Sequence, residues 1–332
     1  MIDITAHYGS LKLKSPIVAG SSGLTDNISS LIEFEKYGAG AVVLKSLFEE
    51  EIVREMNAGI GSMNSSGFLY PETLEFYDYF EGPKETTDGY LDFIREAKSK
   101  LSIPVIASIN CLDAINWTYF PKRIEAAGAD ALELNIFIFP ADMMKSAEEY
   151  EKTYFDIITE VKKQVNIPVF IKLSYYSTHP ALFLQKISSS GIDGMILFNR
   201  FYNPDIDIEK MEVISGAILS TPSDIYQSLR WIAIMADRSK CALIASTGIH
   251  NSESLIKILL AGASATQVVS AFYQNGIPYL EVMLTGLREW MKKMNFNSID
   301  EFKGKLSQAK TTNSASYSRI QFMKYFRGYQ GS

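Results

Sequence analysis

The 332 residues include two cysteines, Cys111 and Cys241, and three histidines. An iron–sulfur cluster needs about four thiolates, so any such cluster would have to come from a partner chain. The two cysteines stand far apart in apolar surroundings and read as reduced, buried thiols. His7, His179 and His250 are too dispersed to read as metal ligands, so no metal is expected. Clustered positive charge is missing too. Lys and Arg number 32 against 38 Asp and Glu, a net charge of -6, and no basic patch adjoins an aromatic ladder. That excludes the usual nucleic-acid surface. No apolar run reaches the roughly 18 residues of a membrane-spanning helix. The start, Met1-Ile2-Asp3-Ile4, lacks the basic region of a signal peptide. These absences predict a cytoplasmic protein with no membrane partner.

What is present is a repeated pattern of short apolar runs and amphipathic segments. Pro16–Ser21, Ala41–Ser46, Pro104–Asn110, Ala131–Phe137, Pro168–Ser174, Gly194–Asn199, Ala242–Gly248 and Ala265–Ala271 read as buried parallel strands. Helical patterns cover Ser146–Gln164, Thr221–Asp237, Ser252–Ala261 and Tyr279–Lys293. Four joints carry a glycine before the next strand: Gly38, Gly128, Gly191 and Gly262. Eight equivalent units predict a (β/α)8 TIM barrel with extended loops after strands two and six, although an open doubly wound sheet has the same alternation. The expected division is a barrel over residues 1–307 and a tail over 308–332, polar at first and then aromatic.

In such a barrel the chemistry stands at the C-terminal ends of the strands. Those ends carry Ala19, Gly20 and Ser21; Lys45 and Ser46; Asn110; Asn135; Lys172; Asn199; Ser246, Thr247 and Gly248; and Ser270. The set has two lysines and three asparagines, without a carboxylate pair or a Ser/His/Asp arrangement. A lysine ending an apolar strand is costly to bury unless it meets an anion or acceptor. Asparagine offers a donor and an acceptor edge, which suits a planar heterocycle. Small residues on strands seven and eight suit a phosphate held by backbone N–H groups. Together they describe a site for a phosphorylated aromatic cofactor with a flat substrate stacked on it. Taken singly, either lysine would equally snorkel at a barrel rim, and Ser246-Thr247-Gly248 would equally cap the next helix.

In order along the chain, these motifs resemble the class 1 dihydroorotate dehydrogenases. The likeness is carried by Leu44-Lys45-Ser46, Ser62-Met63-Asn64-Ser65-Ser66-Gly67, Glu133-Leu134-Asn135, Ile171-Lys172-Leu173-Ser174, Asn199, Ala245-Ser246-Thr247-Gly248-Ile249 and Gln267-Val268-Val269-Ser270-Ala271. The resemblance implies FMN held by Ala19, Gly20, Ser21, Lys45, Ser46, Asn110, Asn135, Lys172, Asn199, Ser220, Ser246, Thr247, Gly248 and Ser270. It implies a small planar substrate held by Asn64, Asn135 and Asn199, and oxidation of a CH–CH bond as in pyrimidine biosynthesis. It also implies a homodimer, with a separate electron-transfer partner in some members. The family's Cys or Ser base falls on Ile138, which cannot take a proton, and two phosphate-turn glycines are replaced by Thr247 and Val269. Two alternatives stay open: a non-catalytic flavin-binding subunit, and a Schiff-base aldolase or isomerase using Lys45 or Lys172.

Overall fold

A computed structural model describes residues 2–48, 86–111, 120–200 and 203–318. Its centre is a closed parallel barrel. The strands are β3 (Ile17–Ala19), β4 (Ala41–Val43), β6 (Val105–Cys111), β7 (Ala131–Ile136), β8 (Val169–Leu173), β9 (Gly194–Leu197), β12 (Ala242–Ser246) and β13 (Ala265–Val268). They pair in the order β4-β3-β13-β12-β9-β8-β7-β6, and β4 pairs with β6 to close the ring. A two-residue strand, β5 (Leu47–Phe48), extends the sheet beside β6. All eight expected strands form. Strand eight is shorter than the sequence suggests: it ends at Val268, and Ser270 opens helix α8 (Ser270–Asn275). The Val269 backbone leaves the extended conformation, with φ -135° and ψ -66°, so the apolar run continues into a helix.

The helices follow the amphipathic pattern. α4 (Ala147–Lys162) starts at a capping box of Ser146 and Glu149, and it buries Tyr154, Ile157, Ile158 and Val161 at helical spacing. α6 (Ile225–Met235), preceded by a 3-10 turn at Pro222–Asp224, α7 (Ser252–Ala261) and α9 (Tyr279–Lys293) match the expected segments. All four expected joint glycines have positive φ. Two of those joints carry a further device. Asp130 and Asp193 accept a hydrogen bond from the first N–H of the neighbouring strand, Val105 N at 2.7 Å and Val169 N at 2.9 Å. A side chain thereby satisfies a donor that the ladder leaves unpaired.

Two hairpins were not anticipated. β1 (Ala6–Tyr8) and β2 (Leu11–Leu13) close the N-terminal end of the barrel. Tyr8 is fully buried, with its ring 4.4 Å from that of Phe170. The connection after β9 contains β10 (Pro204–Asp207) and β11 (Glu212–Ser215), both short and exposed. The described part of the tail lies on the body: Gln308 N donates to Ala233 O at 2.9 Å and Tyr317 Oη to Leu306 O at 2.7 Å.

Candidate active site

Three of the expected residues share one layer. The register pairs Asn110 with Asn135 across β6 and β7, and Asn135 with Lys172 across β7 and β8. Asn199, just beyond β9, donates its side-chain amide to Asn135 Oδ1 at 2.8 Å. Its backbone N–H bonds Leu173 O at 2.8 Å. Four side chains named from the sequence thus meet at one mouth. Asn64 lies outside the described residues.

Beneath this layer is a polar network that sequence reasoning missed. Glu133 is 0% and Lys172 6% exposed, and the ammonium stands 3.8 Å from Glu133 Oε1. Gln267, also buried, donates its amide to Glu133 Oε2 and, at 2.8 Å, to the Tyr8 hydroxyl. Burial, then the neighbouring Glu133 charge, pushes the Tyr8 phenol well above its ordinary value. Glu133 is the one partner of the Lys172 ammonium among the described residues, and 3.8 Å is too long for a hydrogen bond. Glu133 Oε1 and Gln267 Oε1 accept no hydrogen bond from the described residues. A carboxylate in an otherwise apolar strand, two residues before the register partner of a strand-end lysine, was the available signal.

On the β3–β4 side, hydroxyls form a chain: Ser21 Oγ lies 3.0 Å from Ser46 Oγ, which lies 2.7 Å from Ser108 Oγ. Ser108 was not singled out from the sequence, and its backbone is bracketed by the Tyr90 hydroxyl. Ala19 is fully buried, and Gly20 N bonds Val268 O at 3.1 Å. A Cβ at Gly20 would meet Val269 Cγ2 at 2.8 Å. Lys45, half-buried, stands between β4 and β5.

The turn after β12 is tightly made. Thr247 and Gly248 both have positive φ, 72° and 79°. Thr247 therefore keeps a conformation that suits glycine, and its hydroxyl donates to Phe198 O at 3.0 Å. Ser246 O accepts from the Ser228 hydroxyl of α6 at 2.6 Å. Ser220 N donates to Ser270 Oγ at 3.0 Å, and Ser220 Oγ lies 2.9 Å from His250 Nε2. Burial lowers the His250 pKa, so the ring is neutral at pH 7. The place of His250 beside Ser220 was not foreseen. Thr247→Ala is expected to cost ~1–2 kcal/mol, because the hydrogen bond is lost and the strain kept. Thr247→Gly, which releases the strain as well, should fall within ~1 kcal/mol of the parent. Urea denaturation of both variants tests the pair.

The loop after β7 carries the expected base position. Ile138 is partly buried against the core. Behind it the Tyr154 hydroxyl contacts the Ile138 backbone and the Ser174 side chain, and burial pushes that phenol to about 12. Phe139 is 54% exposed.

This is a (β/α)8-barrel enzyme. The family model for dihydroorotate dehydrogenase matches residues 5–291. The chain belongs to that family, of the class 1 type, and is an oxidoreductase. The catalytic subunit of dihydroorotate dehydrogenase B (NAD(+)) from Thermoplasma acidophilum is 26% identical over 316 residues, covering 92% of this chain and 99% of the relative. The subunit of that name from Methanocaldococcus jannaschii is 26% identical over 311 residues, covering 89% and 95%. Among solved structures, Eimeria tenella DHODH in complex with ferulenol gives a TM-score of 0.64 at 15% identity, covering 91% of this chain and 88% of that one. At that identity the likeness speaks for the fold alone. No helix among the described residues is long and apolar enough to cross a membrane.

Proposed function

We propose that the chain is an FMN-dependent oxidoreductase acting on a CH–CH bond of a small planar substrate. One observation carries this reading: a buried ammonium, Lys172, beside the Asn135–Asn199 pair, with no hydrogen bond to any described residue. A buried cation in that condition is matched by an acceptor-rich or anionic ring. The donor set fits FMN. Lys45 and Lys172 would bring positive charge to the ring, with Asn110, Asn135 and Asn199 on its polar groups. Ala19, Gly20, Ser21 and Ser46 would line its cradle. Ser220, Ser246, Thr247, Gly248 and Ser270 would seat the phosphate. When bound, FMN supplies a two-electron acceptor, as oxidation of a CH–CH bond requires.

The chain's own residues orient the substrate. The Asn135–Asn199 pair offers a donor and an acceptor edge to a flat ring, with Asn64 as a further contact. Ile138 can move no proton, and general-base help is worth ~10²–10⁴ in rate. Dihydroorotate, after which the relatives are named, is therefore expected to be oxidised ~10²–10⁴ more slowly than by a base-bearing homologue. Anaerobic mixing with dihydroorotate, following loss of the visible flavin absorbance, measures this. A rate equal to that homologue's would show that another group serves as base. The relatives' designation as catalytic subunits supports a separate electron-transfer partner, and the family supports a homodimer, with residues 1–307 as the flavin barrel. The Schiff-base alternative draws no support from this family.

A further inference from the structure

Ser220, Ser246, Thr247, Gly248 and Ser270, the residues assigned to the phosphate seat, include no lysine or arginine. Their hydroxyls are not equally available. Thr247 spends its proton on Phe198 O, 3.0 Å away. Ser270 Oγ accepts from Ser220 N at 3.0 Å, and its own proton goes to no described residue. Ser220 Oγ faces a titratable group, His250 Nε2, at 2.9 Å. A serine hydroxyl has one proton and two lone pairs. While Nε2 is bare, that proton belongs to the ring, and Ser220 has only lone pairs left to offer an anion. Once Nε2 carries a proton, Ser220 accepts from it and its own proton is released to the seat.

His250 is 7% exposed, and its backbone N–H donates to Ser254 Oγ at 3.0 Å. Burial lowers its pKa, while the Gln274 side chain, the Asp224 charge and the Ser220 backbone favour the charged ring. Asp224 stands in the turn before α6, where its carboxylate accepts from Thr221 N at 2.6 Å and Thr221 Oγ1 at 3.1 Å. α8 brings Gln274 to the ring and carries no charged residue. At the start of α7, Glu253 pairs with Lys257 at 2.5 Å, and both side chains are exposed. The ring is therefore neutral at pH 7 in the free protein, with groups already placed to favour its charge. A phosphate dianion beside Ser220 adds negative charge that opposes the effect of burial.

We infer, resting on the proposed flavin site only for the source of the phosphate, that His250 takes up a proton as a phosphate enters the seat and, through Ser220, serves as its cation. The proton comes from solvent, and no bond of the ligand changes. With the ring neutral before binding and charged after it, FMN affinity rises as pH falls toward the free protein's lowered pKa and levels off below it. Flavin-free full-length protein is titrated with FMN and with riboflavin at about pH 8 and about pH 6.5, both above the second phosphate pKa of ~6. The FMN-to-riboflavin affinity ratio is expected to rise at least about threefold on going to the lower pH. Calorimetry at about pH 7, in buffers of different ionisation enthalpy, should show about half a proton or more taken up per FMN and none per riboflavin. His250→Gln keeps an N–H for Ser220 but cannot gain charge. Its ratio should change by less than about twofold over the same range, without proton uptake, while its riboflavin affinity matches the parent's. Ser220→Ala, which cuts the link, should lower the uptake by at least about half. A pH-independent ratio in the parent, or uptake unchanged in either variant, would overturn the inference. FMN bound tightly and in preference to riboflavin, yet without uptake, removes His250 and leaves the flavin reading standing. If neither flavin binds, the flavin reading falls, and inorganic phosphate in the same buffers decides His250 alone. Uptake with the parent and none with His250→Gln then supports its role, and no uptake overturns it.

Discussion

Lys172→Met is expected to destabilise the protein by about 3–5 kcal/mol, although methionine is close to lysine in volume. The loss comes from Glu133, which is fully buried and would be left without the cation that faces it, beside Gln267 and Tyr8. Removing one partner of a buried ion pair costs more than the pair itself contributes, because the other charge is left uncompensated. Lys172→Met combined with Glu133→Gln removes both charges and should recover most of the loss, to within ~2 kcal/mol of the parent. Urea denaturation of the parent, both single variants and the double variant completes the cycle. A single variant as stable as the parent would show that Glu133 and Lys172 are not coupled. The double variant should still fail to hold FMN tightly, since it lacks the cation assigned to the ring.

Gly248→Ala is the second large effect. A Cβ at this position would stand 2.1 Å from Ile225 N and 2.6 Å from Asp224 C, both backbone atoms at the start of α6. Neither can move without shifting the helix, and φ of 79° is already unfavourable for alanine. The expected loss exceeds ~4 kcal/mol, in the range reserved for specific structural conflicts. Gly191→Ala is the control. Gly191 has a comparable φ of 88° but nothing within 4 Å of the added Cβ, so it should lose only ~1–2 kcal/mol. Thermal or urea unfolding of the two variants separates backbone strain from collision. Equal losses would mean that the close approach of α6 to the turn is not real.

The barrel was legible because its signals are local. Apolar runs, helical periodicity and joint glycines each act over a few residues, and all eight strands and the four named helices follow them. The strand-end residues were legible for the same reason, since position in the repeat is enough to place Asn110, Asn135 and Lys172 in one layer. What was not legible depends on contacts between distant segments. Gln267 reaches Glu133 and Tyr8 across the barrel interior, 134 and 259 residues away in sequence. Ser220 and His250 meet only because α6 and the turn after β12 pack together. The positive φ of Thr247 could not be read either, because threonine is a poor guide to a left-handed turn. The edge-to-face contact of Phe139 with Tyr176 was not legible, since they look like separate loop residues in the sequence. Asn64, expected to touch substrate, lies outside the described residues.

The central claim is a barrel mouth built for FMN, with a phosphate seat formed by Ser220, Ser246, Thr247, Gly248 and Ser270. It is tested most directly by titrating flavin-free protein with FMN and with riboflavin, which share the ring and differ in the phosphate, and following quenching of flavin fluorescence. FMN is expected to bind at least about a hundredfold more tightly, the worth of one or two charge-assisted hydrogen bonds to the phosphate. Equal affinity for the two flavins, or no binding of either, would contradict it.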